Sequence, residues 1–261
     1  MHWRQTRVPQ QHHKNTGGSR STLLRLVERV GDVREITTMP EVVPHPFLFR
    51  FSLPVRRSDG LPKRGKRLLD LSADFALPDL SELRGVRPIG EVRAAWNDEG
   101  LGFSVLVREK KHAPAAEERT PTMPDGIQLW IDTRNTQTIH RANRYCHHFC
   151  FAPTGGGRDG EQPFGIQLPI AQARETTTLA AKGSLLVNAE ILSDGYRLEA
   201  WLRRDQLQGF DPAANREAGT PTKLGFFFEI RDSELGDQTL TVDASFPFAN
   251  DPSLWSTLEL T

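Results

Sequence analysis

The sequence has little sulfur, no net charge and no long apolar run. Its two cysteines, Cys146 and Cys150, lie four apart in a segment that reads as a strand. At about 3.3 Å per residue that places them roughly 13 Å apart. A disulfide needs Cα atoms within about 7 Å, so they are expected as two buried free thiols, which fits a reducing compartment. Methionine occurs only at positions 1, 39 and 123, which argues against haem held by methionine. Lys+Arg and Asp+Glu are 33 each, so no overall field draws in nucleic acid or an anionic membrane, and neither is expected as a partner. No run approaches the roughly 20 apolar residues of a membrane helix. The charged start (His2, Arg4, Arg7, His12, His13, Lys14, Arg20) leads into no apolar segment, so no signal peptide is read and a cytoplasmic location is the default expectation. Met39 offers an alternative start. Gly155-Gly156-Gly157 is followed by no Lys-Ser/Thr and reads as a hinge, not a phosphate loop. No Gly-x-Ser-x-Gly elbow is present, and no catalytic centre is read.

What is present is period two. Residues 1–46 read as a disordered or weakly helical extension and linker, with a marginal amphipathic helix over 23–36. From Phe47 the alternation Phe47, Phe49, Phe51, Leu53, Val55 signals a strand. Further strands are expected at 91–97, 101–108, 126–133, 145–152, 184–191, 196–203, 224–231, 239–244 and 254–260. Turn signals separate them at Asp98-Glu99-Gly100 and Ser193-Asp194-Gly195. Residues 153–182 read as a long connection and 204–209 as one helical turn. With no βαβ alternation, the fold class is all-β: a two-sheet antiparallel β-sandwich, jelly-roll-like, over residues 47–261.

Several rings fall out of step with the core-facing residues of their strands. Trp130 shares a face with Gln128 and Asp132, Trp201 with Arg197 and Glu199, and Phe227 with Glu229 and Arg231; Trp255 is likewise off parity. A polar face bearing rings suits sugars, whose C–H faces meet aromatic planes and whose hydroxyls meet planar polar groups. The bland reading is that the 153–182 connection or the N-terminal segment covers these rings in a secondary core. Arg144 and His148 are read as lining the same face as Trp130, or Arg141 and Arg144 as pairing with Asp132. His147 and His148 are adjacent on a strand and point oppositely, so they share no metal.

The stretches Val92–Val107, Asp125–Asp132, Gly195–Leu202, Leu224–Asp232 and Phe246–Leu260 resemble the family 9 carbohydrate-binding modules, related in fold to DOMON-type sandwiches. The resemblance spans about residues 68–261. It implies a domain that binds a saccharide without cleaving it, with a link to carbohydrate catabolism. It also implies a sugar held between two tryptophans, with polar side chains on its hydroxyls. The place of the first tryptophan is here Thr122-Met123-Pro124, with no ring; the polar partner falls at Gln128; the second ring comes from Phe246, Phe248 or Trp255. Calcium often accompanies the family, and Asp70, Asp74 and Asp79 are the carboxylates offered for it. The expected ligand-binding set is Gln128, Trp130, Asp132, Arg144, His148, Glu199, Trp201, Arg231, Phe248, Asn250 and Trp255. Two alternatives stand beside it. One is a structural or protein-interaction domain that kept the sandwich and lost the sugar site. The other is a glycoside hydrolase, which requires Asp132 and Glu199 within roughly 5–9.5 Å across a cleft.

Overall fold

A computed structural model describes residues 49–121 and 125–261. The expected helix over 23–36, the 46/47 boundary and Phe47 lie outside the described residues. So does the Thr122-Met123-Pro124 position.

Eleven strands form among the described residues. They are β1 (Ser52–Val55), β2 (Gly90–Asn97), β3 (Gly100–Val107), β4 (Gly126–Asp132), β5 (Cys146–Gly156), β6 (Gln162–Leu168), β7 (Leu186–Leu192), β8 (Gly195–Arg203), β9 (Thr222–Asp232), β10 (Gly236–Thr239) and β11 (Ser256–Leu260). Among the described residues one short α-helix, α1 (Pro212–Glu217), starts where Asp211 accepts the Ala214 N–H and Pro212 supplies a preset φ. The β2–β3 turn is fixed by Asn97, whose side chain accepts the Glu99 N–H at 2.9 Å.

The strands make two sheets. The larger runs β1-β11-β9-β4-β5-β6, with β10 pairing to β9; the smaller runs β2-β3-β8-β7. All pairs are antiparallel except β1 with β11, which is parallel, so the two-sheet sandwich is mainly antiparallel, as expected. The core lies between the sheets. Val92, Phe103, Val105 and Leu198 from the smaller sheet meet Leu129, Phe149, Phe226 and Phe228 from the larger, and the Phe103 and Phe226 rings stack at 5.3 Å.

The 153–182 stretch is not a strandless connection. β5 continues to Gly156 and returns as β6 across a register shift between Ala152 and Gly156. Nor is the triple glycine a hinge. Gly155 has φ +92°, and a Cβ there would meet the Ala116 carbonyl oxygen at 2.3 Å, so a close packing contact requires it. The strand expected over 239–244 ends at Thr239 instead, as β10.

Both faces of the central strands are buried. Every residue of β4 is buried, as are all but one of β3. The outer face of the smaller sheet lies under residues 61–76. There Leu61, Leu69 and Leu71 close on Trp201 and Ala95, and Glu199 accepts the Leu68 and Asp70 N–H groups at 2.8 Å each. Part of the outer face of the larger sheet, around Trp130 and Phe227, lies under residues 246–255. Phe248 stacks on Phe227 at 4.5 Å and sets its edge to Trp130, while the Trp255 indole donates to the Phe248 carbonyl at 2.8 Å.

A buried ionic clamp joins the sheets. Lys110, just beyond β3, places Nζ at 2.6 and 2.7 Å from the two Asp232 oxygens and at 3.2 Å from Asp125. Asp125 also accepts the Ala115 and Ser233 N–H groups, and Asp232 those of Glu234 and Leu235. Removing the ammonium alone strands two buried carboxylates. Lys110→Met is therefore expected to cost about 3–5 kcal/mol, and Lys110→Met with Asp232→Asn less than the two single changes summed. Denaturant unfolding of the four proteins measures the coupling.

β5 also carries His147 and His148 to opposite faces, as strand alternation dictates. Burial holds His147 down to about 4 and His148 to about 3, from an ordinary value of 6.5. The folded imidazoles stay neutral while the unfolded ones charge. Stability from these two groups is therefore full above pH 6.5 and is lost as pH falls toward those values. Between pH 6.5 and 5 the loss approaches about 2.7 kcal/mol per pH unit at most, two protons' worth. Urea unfolding across that range should show the slope, and His148→Gln should roughly halve it.

Candidate functional site

The outer face of β5, β4 and β9 carries a continuous polar chain. Strand register brings Gln128 beside Glu229 on one side and Cys150 on the other, one step from His148. The Gln128 amide donates from Nε2 to Glu229 at 3.1 Å. Its Oε1 thus faces His148 Nε2 at 2.9 Å, so that nitrogen carries the proton and donates. Arg231 Nε donates to Glu229 at 2.9 Å. Burial raises the Glu229 carboxyl above its usual range, and the Arg231 charge and hydrogen bond pull it back. The order His148–Gln128–Glu229–Arg231 runs from a neutral enclosed ring to an arginine whose side chain is still 31 % exposed.

Rings back this strip. His148 stacks on Trp130 at 4.4 Å with planes 10° apart. Trp130 is 2 % exposed, so it is a wall of the strip and not a platform open to solvent. Its indole N–H is enclosed with no acceptor among the described residues. An unpaired buried donor costs about 1–3 kcal/mol. Beside the strip, the Cys150 thiol donates to the Pro121 carbonyl at 2.8 Å. Burial pushes both Cys150 and Cys146 up to about 12, and both are free, buried thiols as their spacing implied.

Of the expected ligand-binding residues, Gln128, Trp130, His148 and Arg231 come together here, with Phe248 against Trp130. Asn250 lies two residues past Phe248, half-buried in the covering segment. The others serve elsewhere. Trp255 anchors that segment through the Phe248 carbonyl. Asp132 accepts the Arg134 and Thr136 N–H groups, fixing the loop after β4. Arg144 lies exposed over the Tyr145 ring, with Glu175 at 3.6 Å, so it neither joins His148 nor pairs with Asp132. Glu199 and Trp201 belong to the other sheet, under residues 61–76. The off-parity rings are thus covered as in the bland reading, but by residues 61–76 and 246–255 rather than by 153–182; the N-terminal segment lies outside the described residues.

Asp132 and Glu199 lie on different sheets, each bound to backbone N–H groups, so they form no carboxylate pair for glycoside hydrolysis. The calcium expectation also changes. Asp70 pairs with Lys63 and Arg67, Asp74 accepts from Ser72, and Asp79 accepts the Ser81 N–H. Among the described residues no group of three or more His, Cys, Asp or Glu is placed to hold a metal ion. Glu229, central to the strip, was absent from the expected set; its shared parity with Arg231 was the signal for it.

No family model and no curated protein matches the sequence. Solved structures do match the fold. A family 9 carbohydrate-binding module from Caldicellulosiruptor kristjanssonii, in complex with cellotriose, superposes with a TM-score of 0.51 and 15% identity. That match covers 81% of this chain and 94% of the module. The family 9 module from that organism in complex with glucose gives 0.51 and 16%, over 80% and 95%. At such identities the likeness speaks for architecture alone: residues 49–261 have the sandwich fold of the family 9 carbohydrate-binding modules.

Proposed function

We propose that this domain binds a saccharide without cleaving it, on the outer face of β5, β4 and β9. The observation that carries the reading is the polar chain His148–Gln128–Glu229–Arg231. Sugar recognition uses planar side chains that donate and accept in fixed directions, and these four hold one another in place before any ligand arrives. Hydrogen bonds within the chain set the rotamer of each member, so little side-chain entropy remains to be lost on binding. Arg231 sets a partly exposed side chain at one end of this chain, and Asn250 lies two residues past the covering Phe248. Modules of the same fold hold cellotriose and glucose, which makes glucose and short gluco-oligosaccharides the first ligands to test. The non-catalytic part of the reading rests on the separation of Asp132 from Glu199.

One observation favours a second reading, a structural or interaction domain without a sugar site. Trp130 and Phe227 lie under Phe248, so neither ring is open for stacking. Calorimetric titration separates the two. Saccharide binding is expected for the full chain at millimolar ligand or below, and Gln128→Ala should weaken it about tenfold, some 1.4 kcal/mol. No shortening of the oligosaccharide should follow on long incubation. Absence of binding across a panel of mono- and oligosaccharides would overturn the proposal and leave the second reading.

A further inference from the structure

The sheets of this sandwich expose five edges among the described residues, and four are blunted. β1 is four residues long and contains Pro54; β10 is also four residues long. β6 contains Pro163 and Gly165. β2 is covered by bridges from Arg57 to Trp96 and from Ala76 to Arg93. Shortness, proline and cover are the ordinary means of stopping a sheet edge from pairing with another chain.

β7 has none of them. It is seven residues, Leu-Val-Asn-Ala-Glu-Ile-Leu, with no proline, glycine, bulge or basic residue. No backbone group of 186–192 has a partner outside the β7–β8 ladder among the described residues. Its exposed apolar side chains stand near the two ends, Leu186 at 38 % and Ile191 at 54 %. An edge of this length with unpaired N–H and C=O groups is a template for one more strand.

The sequence of β7 also says which strand. Read antiparallel to itself about Ala189, it sets Leu186 against Leu192, Val187 against Ile191 and Asn188 against Glu190 of the second copy. Apolar meets apolar and amide meets carboxylate at every position. The register also respects faces. Val187, Ala189 and Ile191 lie opposite the core-facing Ala200, Leu198 and Tyr196, and in self-pairing they meet only one another. We propose that two copies of this chain associate through β7, in antiparallel register about Ala189, joining their smaller sheets into one of eight strands.

Sedimentation velocity on the full chain, from micromolar to several hundred micromolar, should show a monomer–dimer equilibrium. Ile191→Arg changes an exposed side chain, so the fold should persist by circular dichroism and thermal unfolding. It should nonetheless weaken the dimer about tenfold or more by setting a charge against Val187. Ala189→Cys sets two thiols against each other across the two-fold and should give a disulfide-linked dimer under mild oxidation. Ile191→Cys faces Val187 and should not. Cys146 and Cys150 are buried and should not compete. A monomer at every concentration would overturn the proposal. So would a dimer indifferent to Ile191→Arg that forms no bridge through Ala189→Cys.

Discussion

A sandwich buries one face of each strand between its sheets; this one buries the other face of its central strands as well, and the rest of the molecule follows from that. Large side chains on an outer face must be covered, and here loops cover them. Residues 61–76 close over Trp201 and residues 246–255 over Trp130 and Phe227. A loop laid on a sheet brings backbone N–H groups into a dry place, where each needs an acceptor. Glu199 supplies two, to Leu68 and Asp70, and Asp132 supplies two more, to Arg134 and Thr136. The polar residues on the outer faces therefore serve mainly to hold loops down. The strip from His148 to Arg231 stands apart, because its members bond chiefly to one another.

This distinction explains what could be read in the sequence. Period two identified which side chains leave the core, and it placed Trp130, Trp201, Phe227 and Trp255 correctly off it. Periodicity carries no information about what lies above a face, so the rings read equally well as a ligand platform or as a second core. The covering segments are irregular and held by side-chain contacts to distant strands, such as Arg93 to the Leu71 carbonyl. No local pattern encodes a contact of that kind. β6 escaped for a different reason. Its residues Gln-Pro-Phe-Gly-Ile-Gln-Leu put a proline and a glycine where strand signals were sought, which suits an edge and weakens the alternation. The parallel pairing of β1 with β11 joins segments some two hundred residues apart in the chain, and strand patterns do not specify partners.

The clamp of Lys110 with Asp125 and Asp232 was illegible too, although all three residues were in view. Lys110 falls in a stretch whose polarity reads as solvated loop. Only the fold shows that the end of β3, the start of β4 and the end of β9 converge at one place. Replacing such a trio by well-packed apolar residues is often neutral or stabilising. What the ions add here is register. They tie one sheet to the other at a defined point, and through Asp125 they set the loop that flanks the polar strip.

The polar strip and the open edge of β7 lie on different sheets, yet the geometry of the edge bears on the strip. Self-pairing about Ala189 keeps core-facing residues opposite core-facing residues, so its two-fold axis runs perpendicular to the joined sheet. Both larger sheets then lie on the same side of that joined sheet, and their outer faces look the same way. A dimer built by turning one copy over would set the two strips back to back and leave each to act alone. Side by side, two weak sites can engage one polymeric ligand together. The second contact becomes intramolecular, and overall avidity can rise on the order of a hundredfold or more with no new contact in either site. The strip proposed for the saccharide has no open ring for stacking, and for a site of that kind this gain decides between negligible and useful binding. The gain also depends on ligand length. It vanishes for a monosaccharide and for any oligomer too short to span the two strips.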